Sequence, residues 1–143
     1  MSDLADRQAA LVAAPTSGAP VPPGFDARLV EIARVSLLRK RAGEVARHWP
    51  GLAGALGGRW TPEFVHWAAE RPTRGSLRDG WDLARELTAT ERLPPAAGAE
   101  LATREATWHY DGATTPRPRR MPALRHAGGS VVLQVAGRVR TLR

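Results

Sequence analysis

Proline and glycine recur along the first 110 residues of this chain at intervals that stop and restart helices. PTSGAPVPPG (15–24), Trp49-Pro50, Gly57-Gly58, RPTRG (71–75) and Leu93-Pro94-Pro95 are the interruptions. Proline removes a backbone donor and clashes with the preceding turn, and glycine adopts backbone angles that end helices. What lies between is helix-length. Ser2 can cap a short first helix with Leu4, Leu11 and Val12 on one side, before the Pro/Gly linker at 15–24. Asp26 is a good N-cap for a long second helix to about His48, with Leu29, Ile32, Ala33, Leu37, Val45, Ala46 and Trp49 near helical spacing.

Pro50 restarts a short helix that Gly57-Gly58 stops. Thr61-Pro62-Glu63 reads as the next start, followed by Phe64, Val65, Trp67 and Ala68. Ser76-Leu77-Arg78-Asp79 resembles a capping box, ahead of an amphipathic helix carrying Leu77, Trp81, Leu83, Ala84 and Leu87. Ala96 to about His109 supplies one more helix through Leu101 and Trp108.

After Tyr110 the texture changes. DGATTPRPRRMP reads as a Pro/Arg-rich connector over 111–130, and SVVLQVAGRVRTLR as a basic β-hairpin tail, 131–143, turning at Ala136-Gly137. That register would place Arg138 and Arg140 across from Val135 and Leu133. A lone hairpin is marginal in water, so it must pack on the helices, gain a strand from PALRH, or pair with a partner. The expected fold is therefore mainly α: a compact helical domain of about five to six helices over 1–110, with a short C-terminal hairpin appendage.

Charge follows the same boundary. Residues 1–110 hold 14 basic and 13 acidic side chains, whereas residues 111–143 hold seven arginines and Asp111 alone. The net charge of +7 therefore belongs to the tail. The absence of cysteine excludes disulfides, thiolate catalysis and cysteine zinc sites. MSDLADRQAALVAA is acidic and amphipathic, unlike a signal peptide, and no apolar run approaches the roughly 20 residues that span a bilayer. A cytoplasmic protein with no membrane contact is expected.

Candidate chemistry is sparse. Glu44/His48, Glu63/His66 and Glu105/His109 have helical spacing, but only Glu63/His66 has the i,i+3 spacing of di-iron bundles, which need two copies and two further carboxylates. They read as surface pairs. GLAGALGG (51–58) lacks the strand and the Lys-Ser/Thr of a phosphate loop, and His126 with Ser130 has no third partner. No catalytic residue, metal or cofactor is assigned, and the chain is not expected to be an enzyme.

Arg39-Lys40-Arg41 invites a nucleic-acid reading. Consecutive helical residues fan out by about 100° each, so the three cannot face one groove. They read as the wet flank of a buried Leu37/Leu38 stripe. PRPRR (116–120) reads as a solvated linker, and the five tryptophans as core rather than base-stacking platforms.

From Leu37 to Trp108 the landmarks Trp49-Pro50, Leu56-Gly57, Phe64, Pro72, Ser76, Gly80-Trp81, Leu93-Pro94 and Glu105 with Trp108 occur in a fixed order. Over about residues 29–110 the chain resembles the N-terminal helical domain of the HvfC/BufC family. That domain was once labelled DNA-binding. Its relatives include small partner subunits of multinuclear non-heme iron oxidative enzymes, TIM barrels that modify ribosomally made peptides such as the methanobactin precursor. The resemblance implies a non-catalytic partner protein that binds such an enzyme, its precursor peptide, or both, with the iron held by the enzyme.

Many members carry a larger second domain than the roughly 33 residues that follow Asp111 here. The hairpin could still take an extended peptide by strand addition along Val131, Val132, Leu133, Gln134 and Val135. Arg138 and Arg140, with Arg117, Arg119 and Arg120, would attract acidic groups. The alternative is a DNA-binding or regulatory protein using the arginine-rich tail on phosphate.

Overall fold

The computed structural model describes residues 2–17, 19–119, 123–127, 130–135 and 138–142, with side-chain surroundings for 4–16 and 19–119. Its elements are α1 (Ser2–Ser17), α2 (Ala27–His48), α3 (Pro50–Leu56), a 3₁₀ turn (Gly57–Arg59), α4 (Trp60–Ala68), α5 (Ser76–Ala89) and α6 (Pro95–Thr107). Five strands follow: β1 (Trp108–His109), β2 (Arg117–Pro118), β3 (Ala123–Ala127), β4 (Ser130–Val135) and β5 (Arg138–Leu142). The fold is mainly α, as expected, with a small antiparallel β region at the C-terminal end.

The helix boundaries follow local chemistry. Asp26 caps α2 as read, its Oδ1 accepting from the Arg28 N–H at 2.8 Å. Gly57, at φ 54°, closes α3. Other starts differ from the sequence reading. α1 runs through Pro15 to Ser17 instead of stopping at the proline. Proline there removes one donor near the helix end, and the Thr16 hydroxyl donates to the Val12 carbonyl at 2.7 Å in the same turn. α4 begins at Trp60, ahead of Thr61, because the 3₁₀ turn leads straight into it, and no side chain caps it.

α5 is not closed by a Ser76 capping box. Gly75 is the N-cap at φ 96°, and buried Asp79 reaches back with Oδ1 to accept from the Arg74 N–H at 2.9 Å. The carboxylate therefore serves the residue before the N-cap, and no side chain caps the first turn.

The chain divides into two compact units. One comprises Met1–Glu44 and Arg59–Thr73. Its core is Ala14, Leu38, Ala42, Trp60, Phe64, Trp67 and Ala68. The three aromatics of α4 run in series, with ring centroids 5.4 Å apart for Trp60–Phe64 and 5.6 Å for Phe64–Trp67. Trp60 Nε1 donates to the Ala42 carbonyl at 3.2 Å, so the one polar atom of a buried indole is satisfied.

The other unit comprises Val45–Gly58 and Arg74–Arg143. α6 is its organiser, packing against α3, α5 and all three strands β3, β4 and β5. Val45, Trp49, Leu52, Trp81, Leu83, Leu87, Leu101 and Tyr110 form its core. Trp49 and Trp81 meet edge to face, with centroids 5.8 Å apart and planes at 70°. Gly80 makes this possible, because a Cβ there would come within 2.2 Å of Trp49 Cδ1, far inside van der Waals contact.

β1 and β2 form a two-residue antiparallel ladder that pairs Trp108 with Pro118 and His109 with Arg117. β3, β4 and β5 form a second antiparallel sheet in that order. The predicted hairpin is β4–β5, with Leu133 opposite Arg140 and Val135 opposite Arg138. β3, from the ALRH of PALRH, supplies the third strand, and the sheet packs on α6. Two of the three ways of supporting the hairpin are therefore realised together.

Candidate functional site

The positions singled out for peptide binding fall into different roles. Val131–Val135 lies in β4, the middle strand, and is paired to β3 on one side and β5 on the other. Strand addition along Val131–Val135 therefore has no unpaired backbone to use. Among the described residues the sheet edges are β3 and β5, and Arg138 and Arg140 sit on the β5 edge. Arg117 is exposed in β2, opposite His109.

Arg119 is structural. Its Nε donates to the Glu105 carbonyl at 2.9 Å and the Trp108 carbonyl at 3.0 Å, and its backbone N–H donates to the Thr107 carbonyl at 2.8 Å. It pins the returning chain onto the end of α6. Arg120 lies outside the described residues.

Of the landmarks, Trp49, Trp81 and Glu105 lie in the second unit, Phe64 is in the first unit's core, and Trp108 is exposed. The Trp49 Nε1 donates to the Leu77 carbonyl at 2.9 Å. Trp81 Nε1 donates to Glu105 Oε1 at 2.8 Å, and Arg85 Nε donates to the same oxygen at 2.8 Å. Arg85 also donates to the Tyr110 carbonyl at 2.7 Å, and its guanidinium stands 5.0 Å from the Tyr110 ring centroid and 5.8 Å from that of Trp81. Glu105 thus works with Trp81, 24 residues earlier.

Tyr110 continues the network. Its hydroxyl donates to Asp82 Oδ1 at 2.8 Å, Asp82 pairs with Arg74 at 3.5 Å, and Arg74 and Arg78 both donate to the Ala113 carbonyl. Burial, partly offset by Arg78, holds the Tyr110 phenol above its ordinary value. Asp111 is held well below the ordinary carboxylate range, because the Thr114 and Ala113 N–H groups and the Thr114 hydroxyl all donate to it. Asp111 closes a local turn, whereas no sequence signal marks the partners of Tyr110, Asp82, Arg74 and Arg78, which meet only through packing.

Glu100 plays a similar part at α3. Its Oε2 accepts from the Leu52 N–H at 2.8 Å, satisfying a free donor of the first turn, and it pairs with Arg104 at 3.5 Å. The Arg104 guanidinium stands over Trp49, 4.2 Å from the ring centroid, and donates to the His48 carbonyl. These charges organise packing.

His48, His66 and His109 are exposed, and among the described residues no group of three or more His, Asp or Glu side chains is placed to hold a metal. Arg39 and Lys40 are exposed as read, but Arg41 turns inward. Its guanidinium donates to the Arg71 carbonyl at 2.6 Å and lies 5.6 Å from the Phe64 ring centroid. Leu38 is buried, while Leu37 is 43 % exposed, so the Leu37/Leu38 stripe is buried only at Leu38.

The same correction extends along α2. Leu29 and Ile32, read as core, are 64 % and 54 % exposed. The buried line is Leu38, Ala42, Val45 and Trp49. Four of the five tryptophans are buried, and Trp108 is the exposed one. Within the first unit, Leu11, Pro15, Phe25, Asp26, Leu29, Val30 and Ala33 line an open apolar cleft of about 320 Å³. Pro15, Thr16, Leu37, Leu38, Lys40, Arg41, Glu44 and Thr73 line another, of mixed charge and about 240 Å³. No helix among the described residues is long and apolar enough to cross a membrane.

The family described as SCO6045-like, C-terminal domain, matches residues 5–89, from α1 to the end of α5. The chain belongs to that family. This SCO6045-like domain is also 36 % identical, over 125 residues, to a UPF0276 protein of Streptomyces avermitilis. That match takes in 87 % of the domain but only 25 % of the relative, so the chain spans about a quarter of the length of the protein it resembles. No solved structure matches the chain.

Proposed function

We propose that this SCO6045-like domain is a non-catalytic partner module for a larger enzyme, and that the enzyme is a multinuclear non-heme iron oxidative barrel acting on a ribosomal peptide. The observation that carries the partner reading is the Streptomyces match: nearly the whole of this chain corresponds to a quarter of a longer protein. A module of that kind works beside a larger protein body. The choice of enzyme and peptide rests on the HvfC/BufC-like landmarks, Trp49-Pro50, Gly80-Trp81 and Glu105 among them.

The disposition of charge supports a binding role. Glu100, Glu105, Asp79 and Asp82 are engaged in holding helices and loops together. The sheet offers a different resource. An extended precursor peptide adds to the β5 edge by backbone hydrogen bonds, and Arg138 and Arg140 on that strand favour an acidic one. The iron and the oxidation belong to the enzyme.

The test is affinity capture of the tagged full-length protein from its native lysate after nuclease treatment, with protein identification and iron analysis. Recovery of a stoichiometric iron-containing barrel enzyme supports the reading. Nucleic acid in an untreated control, without a protein partner and with binding that falls steeply with salt, assigns the arginine-rich tail to phosphate instead.

A further inference from the structure

Single exposed apolar side chains are common on protein surfaces, but a concentration of them on one part of a fold is informative. Of the seven large hydrophobic residues that are exposed among the described residues, six lie between Leu4 and Leu37. Leu4 and Val12 on α1 are 65 % and 63 % exposed, and Leu29 and Ile32 on α2 are 64 % and 54 % exposed. Phe25, between the two helices, borders the apolar cleft that α1 and α2 line together. Leu29, Ile32 and Ala33 follow i, i+3, i+4 spacing, which keeps them on one side of α2. Arg28, Glu31 and Arg34 stand between and beyond them, and Glu31 pairs with Arg34 at 3.1 Å. An apolar centre with a mixed-charge rim is the composition of a protein–protein contact.

The family description and the partial match point to an occupant. The family is described as a C-terminal domain, and the Streptomyces match is a quarter of its protein. A C-terminal domain has the rest of its protein ahead of it, joined before α1, where the family match begins at residue 5. The larger body is thus tethered at the helix that carries Leu4 and Val12. Tethering raises its effective concentration at that surface and favours docking there over a distant face.

We propose that the apolar surface of α1 and the first half of α2 is the seat of the larger protein body that precedes this module in its longer relatives. The inference rests on the partner-module reading above and gives that partner a location. The contact is through side chains of Leu4, Val12, Phe25, Leu29 and Ile32. The β5 edge, at the other end of the sequence, stays open to a peptide.

Hydroxyl-radical footprinting of the intact Streptomyces relative and of this chain, each at low concentration, tests the proposal. Segments of the relative aligned with α1 and the first half of α2 should be labelled severalfold less than the same segments of this chain, while those aligned with α5 match. Glutamate at the relative's positions aligned with Leu29 and Ile32 should restore labelling there without loss of helical circular dichroism. Equal labelling at α1–α2 with protection elsewhere on the module overturns this surface and leaves the partner-module reading standing. No protection anywhere on the module overturns both. Protection in this chain alone that grows with concentration, with a dimer mass, assigns the surface to a second copy and overturns the proposal.

Discussion

Glu105 illustrates how much one side chain carries here. A single oxygen accepts from both the Trp81 indole and the Arg85 guanidinium. Replacing it with alanine leaves two donors facing packed surroundings, and Glu105→Ala should cost about 2 kcal/mol in urea unfolding. Glu105→Gln keeps an acceptor and should lose less. Gly80→Ala tests the neighbouring contact. The added methyl must displace the Trp49 ring, so a cost of about 3 kcal/mol is expected despite the better helix propensity of alanine. Neither residue could have been given its partner from the sequence. Trp81 and Glu105 are 24 positions apart, and helical periodicity says which residues face inward, not which of them meet.

At the scale of elements, the turn around Asp111 responds to acid. Three donors hold the folded carboxylate below its ordinary value of 3.8, so their contribution is present above about pH 4 and drains away as pH falls toward the folded value. Asp111→Asn should flatten the acid limb of the 111–114 loop's stability, read as amide exchange against pH. Helix placement was largely legible, because prolines and glycines mark where helices cannot continue. The face of α2 was not. Leu29, Ile32 and Leu37 have core-like spacing, yet the buried line begins with Leu38, one residue and about 100° away. Amphipathicity shows that a stripe exists and is silent on what will cover it. Leu38→Ala should cost about 2–5 kcal/mol, whereas Leu29→Asp should change stability by about 0.5 kcal/mol or less. Paired thermal melts distinguish the two.

For the molecule as a whole, charge divides the sequence at Tyr110, whereas the two compact units divide it after Glu44, Gly58 and Thr73. The C-terminal strands form a three-stranded sheet on α6, in which β3 supports the expected hairpin from one side and the helix packs against it. If that sheet receives an acidic precursor peptide at β5, Arg138→Glu with Arg140→Glu should weaken peptide binding about 10-fold or more, a loss of about 1.4 kcal/mol or more. Enzyme capture should be unaffected. Calorimetric titration with the peptide, alongside the pull-down, separates the two activities.

The tryptophans have a consequence of another kind. Trp60 and Trp67 belong to the first unit's core, and the crossed pair Trp49–Trp81 to the second's. Nature has therefore placed a separate optical reporter in each half of the molecule. Phenylalanine at 60 and 67 would leave the interior emission to Trp49 and Trp81, whose crossed rings should also couple in near-ultraviolet circular dichroism. Phenylalanine at 49 and 81 would do the reverse, so each unit's melting can be followed by its own light without attaching a dye.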